Sequence, residues 1–82
     1  MKYYVYILWS DSLAKTYVGY TSDLKSRVIA HNVSIKGWTV RGRPWVLIFF
    51  ERFDSKKEAI AREAFFKTGR GREYIKNNII NK

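Results

Sequence analysis

Cysteine is absent from this chain of 82 residues. Disulfides, thiolate metal sites and cysteine nucleophiles are thereby excluded, and packing alone must hold the fold. His31 is the only histidine, which excludes a two-histidine zinc centre of the HExxH kind. No Walker loop and no Gly-x-Ser-x-Gly elbow is present, and no paired carboxylates suggest a two-acid hydrolase. Tyrosine aside, the longest apolar run is Trp45 to Phe50, far short of the roughly 20 residues that span a bilayer. The N-terminus opens straight into a strand-like pattern, without the apolar segment and small-residue cleavage site of a signal peptide. These absences lead us to expect a soluble, cytoplasmic protein. Negative charge is also scarce: seven Asp and Glu face sixteen Lys and Arg, for a net +9.

Apolar and aromatic residues are plentiful, at 46% and 17% of the chain. That is too apolar for a disordered segment, and the length fits one domain covering residues 1–82. The positive excess is a statement about partners rather than fold. Phosphate backbones are the usual partner of a basic domain, with anionic lipid or plain solubility as alternatives.

Tyr3 to Trp9 is rich in β-branched and aromatic residues and is predicted to be a buried strand, with Tyr4, Tyr6 and Leu8 on one face. A turn at Ser10-Asp11-Ser12 leads to a second strand through Thr16 to Gly19, most simply an antiparallel hairpin. Thr21 or Ser22 is expected to cap a helix through about Asn32, with Leu24, Val28 and Ile29 as apolar stripe and Lys25, Arg27 and His31 on the polar side. Residues 34–44 read as loop. Trp45 to Phe50 reads as a third strand. Ser55-x-x-Glu58 is a capping box for a helix from Lys56 to Thr68, with Gly69 in the left-handed position after it. A short final helix covers Arg72 to Ile80. The order β-β-α-β-α-α argues an α+β fold: a three-stranded antiparallel sheet flanked by helices.

Several residues fit no purely structural pattern. Tyr6 lies mid-strand in Val5-Tyr6-Ile7, and Tyr17 opens Tyr17-Val18-Gly19. Arg27 and His31 share a helix face at i, i+4. Glu63 falls in an apolar helical stripe, uncomfortable for a carboxylate unless something pairs with it; Arg27 or Arg62 could be that partner. Taken together, these residues resemble the GIY-YIG endonuclease family. Val5-Tyr6-Ile7 stands at its first motif, with the tyrosine kept and the glycine missing, and Tyr17-Val18-Gly19 stands at its second. Arg27, His31 and Glu63 match its helical Arg, a companion to that Arg, and its metal-binding Glu. The stretch Lys36 to Pro44 looks like the loop of small stand-alone members related to the excinuclease nuclease domain. The family's late Asn has two candidates here, Asn77 and Asn78.

The resemblance implies a metal-dependent DNA endonuclease. Tyr6 or Tyr17 would act as base, helped by a pKa that Arg27 depresses from about 10; Tyr6 is the favoured one, with His31 relaying the proton. Arg27 would clamp phosphate, and Glu63 would hold Mg²⁺, with Mn²⁺ as a substitute. Gly19 would let backbone approach the site. Lys36, Arg41, Arg43, Arg70 and Arg72 would meet DNA phosphates, together with Lys67 and Lys76, while Trp38 would stack on a base or act as a core lid. Branched or damaged DNA, a role in repair or recombination, and a targeting protein partner follow by the same analogy. The rival readings are a non-catalytic nucleic-acid-binding module and a basic RNA-binding protein.

Overall fold

A computed structural model describes residues 2–33 and 38–81, of Trp38 and Thr39 the backbone alone. Strands β1 (Tyr3–Ser10), β2 (Lys15–Thr21) and β3 (Trp45–Phe53) form one antiparallel sheet in the order β2-β1-β3. The expected α+β fold is what the chain adopts. β1 is central, so its apolar run is covered on both faces: Val5, Tyr6, Ile7 and Leu8 are all buried. Val5, Ile7 and Val18 face one side, and Tyr6 and Leu8 face the other with Trp45.

The two faces are covered by different helices. α1 (Leu24–Val33) lays Leu24 and Val28 against the Tyr6–Leu8 face. α2 (Lys56–Phe66) and α3 (Gly69–Ile75) cover the other with Ala59, Phe66 and Ile75. β3 runs three residues beyond the expected end. A register shift opposite Ile7 and Leu8 lets consecutive Ile48 and Phe49 both pack against the α2 face.

Caps explain most helix boundaries. Asp23, rather than Thr21 or Ser22, caps α1 by accepting the Ser26 N–H at 3.1 Å. Ser55 caps α2 as expected, accepting the Glu58 N–H at 3.2 Å. Gly69 does not end α2 in a left-handed conformation. Instead Thr68 takes the Gly71 N–H at 3.1 Å and starts α3 there, earlier than Arg72. α3 passes into a π-helical turn at Lys76–Ile80. Within the expected loop, Trp38–Gly42 forms a 3₁₀ turn. Ile29, expected in the apolar stripe, is half exposed because the sheet meets α1 along the Leu24–Val28–His31 line.

Arg62 ties the helical layer to the sheet. Its Nε and Nη2 donate to Glu51 of β3 at 2.8 and 3.4 Å. Its guanidinium lies over Phe66, Phe65 and Tyr74 at 4.5, 4.9 and 5.6 Å. Gly71 permits α3 to press on α2, since a Cβ there would stand 2.0 Å from the Phe65 carbonyl oxygen. No helix among the described residues is long and apolar enough to cross a membrane.

Phe66 is fully buried at the centre of the α2 face. Phe66→Ala is expected to lower the unfolding free energy by about 3–5 kcal/mol, read from urea denaturation. A loss below about 1 kcal/mol would show that this face is not the main core.

Candidate active site

The site begins with a strand pairing. Tyr6 of β1 lies directly across from Gly19 of β2. A Cβ on residue 19 would stand 2.6 Å from the Tyr6 hydroxyl. The glycine therefore makes room for the phenol, a closer constraint than the backbone approach expected from sequence. Tyr17 sits on the same face, its ring stacked on that of Tyr6 with centroids 6.2 Å apart.

α1 brings the imidazole to these rings. Positions 24, 28 and 31 fall on one helical stripe, so His31 points inward and is only 8% exposed. This corrects its expected place on the polar side; Arg27, one turn earlier, keeps an exposed side chain. The Tyr6 hydroxyl and His31 Nε2 share a hydrogen bond of 3.1 Å. The Tyr17 and His31 rings are 4.5 Å apart. Asn32, which sequence reasoning missed, secures this end of α1. Its Oδ1 accepts the Trp45 N–H at 2.6 Å and its Nδ2 donates to the Trp45 carbonyl at 3.0 Å.

Electrostatics correct one expectation. Burial and the neighbouring Tyr17 push the Tyr6 phenol well above its ordinary range. Arg27 pulls the other way, as expected, but does not prevail. The favoured phenolate base is therefore a phenol whose surroundings hold its proton in place. Burial, reinforced by the Arg27 cation, lowers the His31 pKa below its usual value, so the imidazole is neutral at pH 7.

Glu63 of α2 is partly buried, and its negative charge also raises the Tyr6 pKa. The carboxylate thus acts on the same phenol as Arg27, though it is carried by a different helix. It pairs with neither Arg27 nor Arg62: Arg62 is bound to Glu51, and Lys67 Nζ stands 3.5 Å from Glu63 Oε2. Among the described residues no group of three His, Cys, Asp or Glu could hold a metal unaided. A single hard carboxylate still fits Mg²⁺, which keeps several waters and takes substrate phosphate oxygens as ligands. The long contact to a half-exposed lysine leaves such an ion a displaceable competitor.

The expected DNA contacts divide. Lys36 and the Trp38 side chain lie outside the described residues. Arg41 is exposed. Arg43 is committed to backbone, its Nη1 donating to the Asn32 carbonyl at 3.2 Å and its Nε to the Val40 carbonyl at 3.3 Å. Arg70 and Arg72 are exposed on α3. Asn77 and Asn78 are exposed on the last turn, and Asn78 donates to the Tyr74 carbonyl at 3.1 Å. Sequence reasoning overlooked Trp9 and Lys15. They join Arg72 and Lys76 around a groove of about 960 Å³ beside Tyr17. The hairpin placed Lys15 near Tyr17 in sequence, but only the docking of α3 makes a groove there.

The model of the GIY-YIG catalytic domain matches residues 2–77. A UPF0213 protein of Streptococcus pyogenes serotype M3 is 44% identical over 68 residues, covering 80% of this chain and 72% of that protein. The UPF0213 protein of the ldhD 5′ region in Pediococcus acidilactici is 37% identical, covering 93% of this chain and 83% of its own. The solution NMR structure of a UPF0213 protein from Bacillus halodurans is similar with a TM-score of 0.58 and 34% identity. It covers 94% of this chain and 84% of that one.

Two outcomes follow from this geometry. By NMR, His31 is expected to titrate below the usual 6.5. The unfolded chain then takes the proton first, so stability is lost as pH falls from about 6.5 through the folded-state value. Urea midpoints of wild type and His31→Gln between pH 7.5 and 5 should diverge accordingly; parallel curves would refute it. Gly19→Ala is expected to displace Tyr6 and cost about 1–3 kcal/mol by overpacking, with the His31 ring resonances shifting as its hydrogen bond is lost. Unchanged resonances would show that the phenol has room to spare.

Proposed function

Because the chain belongs to the GIY-YIG family, we propose that it is a divalent-metal-dependent endonuclease that hydrolyses DNA phosphodiesters. The observation that carries this reading is the hydrogen-bonded Tyr6–His31 pair beside Tyr17, acted on by the charges of Arg27 and Glu63. In this reading the substrate is branched or damaged DNA, the setting is repair or recombination, and a protein partner supplies targeting.

The chemistry places a neutral base at the end of a short relay. A water oxygen attacks phosphorus in line, and the bond to the leaving oxygen breaks. Tyr17, the less buried phenol, accepts the water proton as its own passes to Tyr6. The Tyr6 proton passes to His31 Nε2, which its lowered pKa keeps available as an acceptor. Tyr6 never needs to ionise, which agrees with its burial. Arg27 holds the phosphate oxygens with a charge it cannot lose. Glu63 would hold a divalent cation, Mg²⁺ or Mn²⁺, which when bound would supply Lewis-acid charge at the scissile phosphate and the leaving oxygen. Lys67 is the group it would displace from the carboxylate.

The Lys67–Glu63 pair also favours a second reading, a nucleic-acid-binding module whose carboxylate is neutralised by lysine. Incubating the protein with branched, flapped, nicked and linear DNA, in Mg²⁺ or EDTA, separates the two. Wild type is expected to cut at least one form only with metal. Glu63→Ala should abolish cutting while binding persists. His31→Ala should slow cutting by about 10²–10⁴-fold, and the wild-type rate should fall on the acid side of the His31 titration. Binding without cutting in any form would establish the module reading instead.

A further inference from the structure

We propose that the groove beside β2 is a subsite for an unpaired nucleotide of the DNA strand, with Trp9 as the platform on which its base stacks. The inference rests on the nuclease reading for its occupant and adds where, and in what form, the strand approaches the candidate centre.

β2 is an outer strand, so one edge of its backbone has no strand partner among the described residues. The groove follows this edge from Lys15 to Val18 and is closed opposite by the end of α2, by α3 and by the turn after it. Its volume of about 960 Å³ lies at the upper end of the roughly 300–1,000 Å³ typical of ligand sites. That is more space than one metal ion or phosphate needs. The lining has two characters. Lys15, Lys67, Arg72 and Lys76 are cationic, and among the described residues no carboxylate side chain joins them in the lining. Trp9 and Ile80 supply the accessible apolar surface, over a buried floor of Val18, Phe66 and Ile75. Among the described residues only Lys67 of the four cations is in an ion pair.

That combination selects the ligand. Paired DNA presents phosphates outward and keeps its bases stacked inside, so it would use the cations and leave the apolar wall unmatched. A strand with an unpaired base uses both, with phosphates on the lysines and arginine and the base against an aromatic ring. Trp9 is half buried, and its indole N–H donates to Asp11 Oδ1 at 2.6 Å, which limits its rotation. The groove also touches the candidate centre at two points. Tyr17 lines it and packs on His31, and Lys67 lines it and pairs with Glu63. A strand that leaves the groove around the β2 edge passes Tyr17, which packs on His31 on the other face of the sheet, and so brings a neighbouring phosphodiester toward that centre.

The test is fluorescence anisotropy with labelled single-stranded, flapped and fully paired DNA of equal length, in EDTA, beside cleavage assays in Mg²⁺. Wild type is expected to bind the single-stranded and flapped forms more tightly than the duplex. Trp9→Leu, which stays apolar but cannot stack, should weaken that binding about ten-fold and leave duplex binding unchanged; Trp9→Phe should restore most of it. Lys15→Ala with Lys76→Ala should weaken all forms and flatten the salt dependence. Equal binding of duplex and single strand by wild type, or unchanged single-strand binding by a folded Trp9→Leu, would overturn the subsite. Trp9-dependent binding without any cutting would uphold the subsite and remove the nuclease. Cutting that Trp9→Leu leaves unaltered in rate and substrate preference would do the reverse.

Discussion

The hydrogen bond between Tyr6 and His31 joins the central strand to the first helix, and much of the molecule is arranged to keep it. The phenol can reach the imidazole only because Gly19 leaves space across the strand pair. The imidazole can face the phenol only because Leu24 and Val28 dock the same stripe of α1 on the sheet. Asn32 then fixes the end of that helix to the start of β3 through two bonds to the Trp45 backbone. Remove any of these and two buried polar groups lose their partners, which is costly in a low-dielectric interior.

The same burial decides the chemistry open to the pair. Desolvation disfavours charge on either member, so phenol and imidazole are both neutral at pH 7. A neutral pair is suited to passing a proton along, whereas a lone buried phenolate would have to exist without adequate compensation. Arg27 and Glu63 bring opposite charges to the rim from different helices. Carried by α1 and α2, these two charges act with opposite sign on one buried phenol.

The asymmetry of the two outer strands separates roles around this centre. β2 borders the cationic groove and carries Tyr17. β3 anchors α2 through Glu51 and Arg62, on the far side of β1. β2 thus borders the proposed DNA path, while β3 receives the side-chain tie from α2. A net charge of +9 would oppose compaction. Gathering several cations into one groove, where a polyanion would neutralise them, turns that burden into an attraction.

Much of this was legible in the amino-acid order. The run of aromatic and β-branched residues at Tyr3 to Trp9, the Ser55–Glu58 cap and the grouping of strands before helices suffice for the α+β fold, because propensity, capping and periodicity are local properties. The five candidate residues were likewise legible as a spaced set. What no local pattern could decide was their surroundings. His31 looked polar-facing although the sheet covers it, and Tyr6 looked like a phenol that Arg27 would acidify although burial outweighs that cation. Arg43 looked like a phosphate contact although its guanidinium caps backbone carbonyls. Gly69 looked like a helix end although Thr68 starts a new helix at that point. Residue order determines which groups are available; desolvation and pairing depend on what long-range packing places within a few ångströms, so protonation, partners and the groove beside β2 belong to the tertiary structure alone.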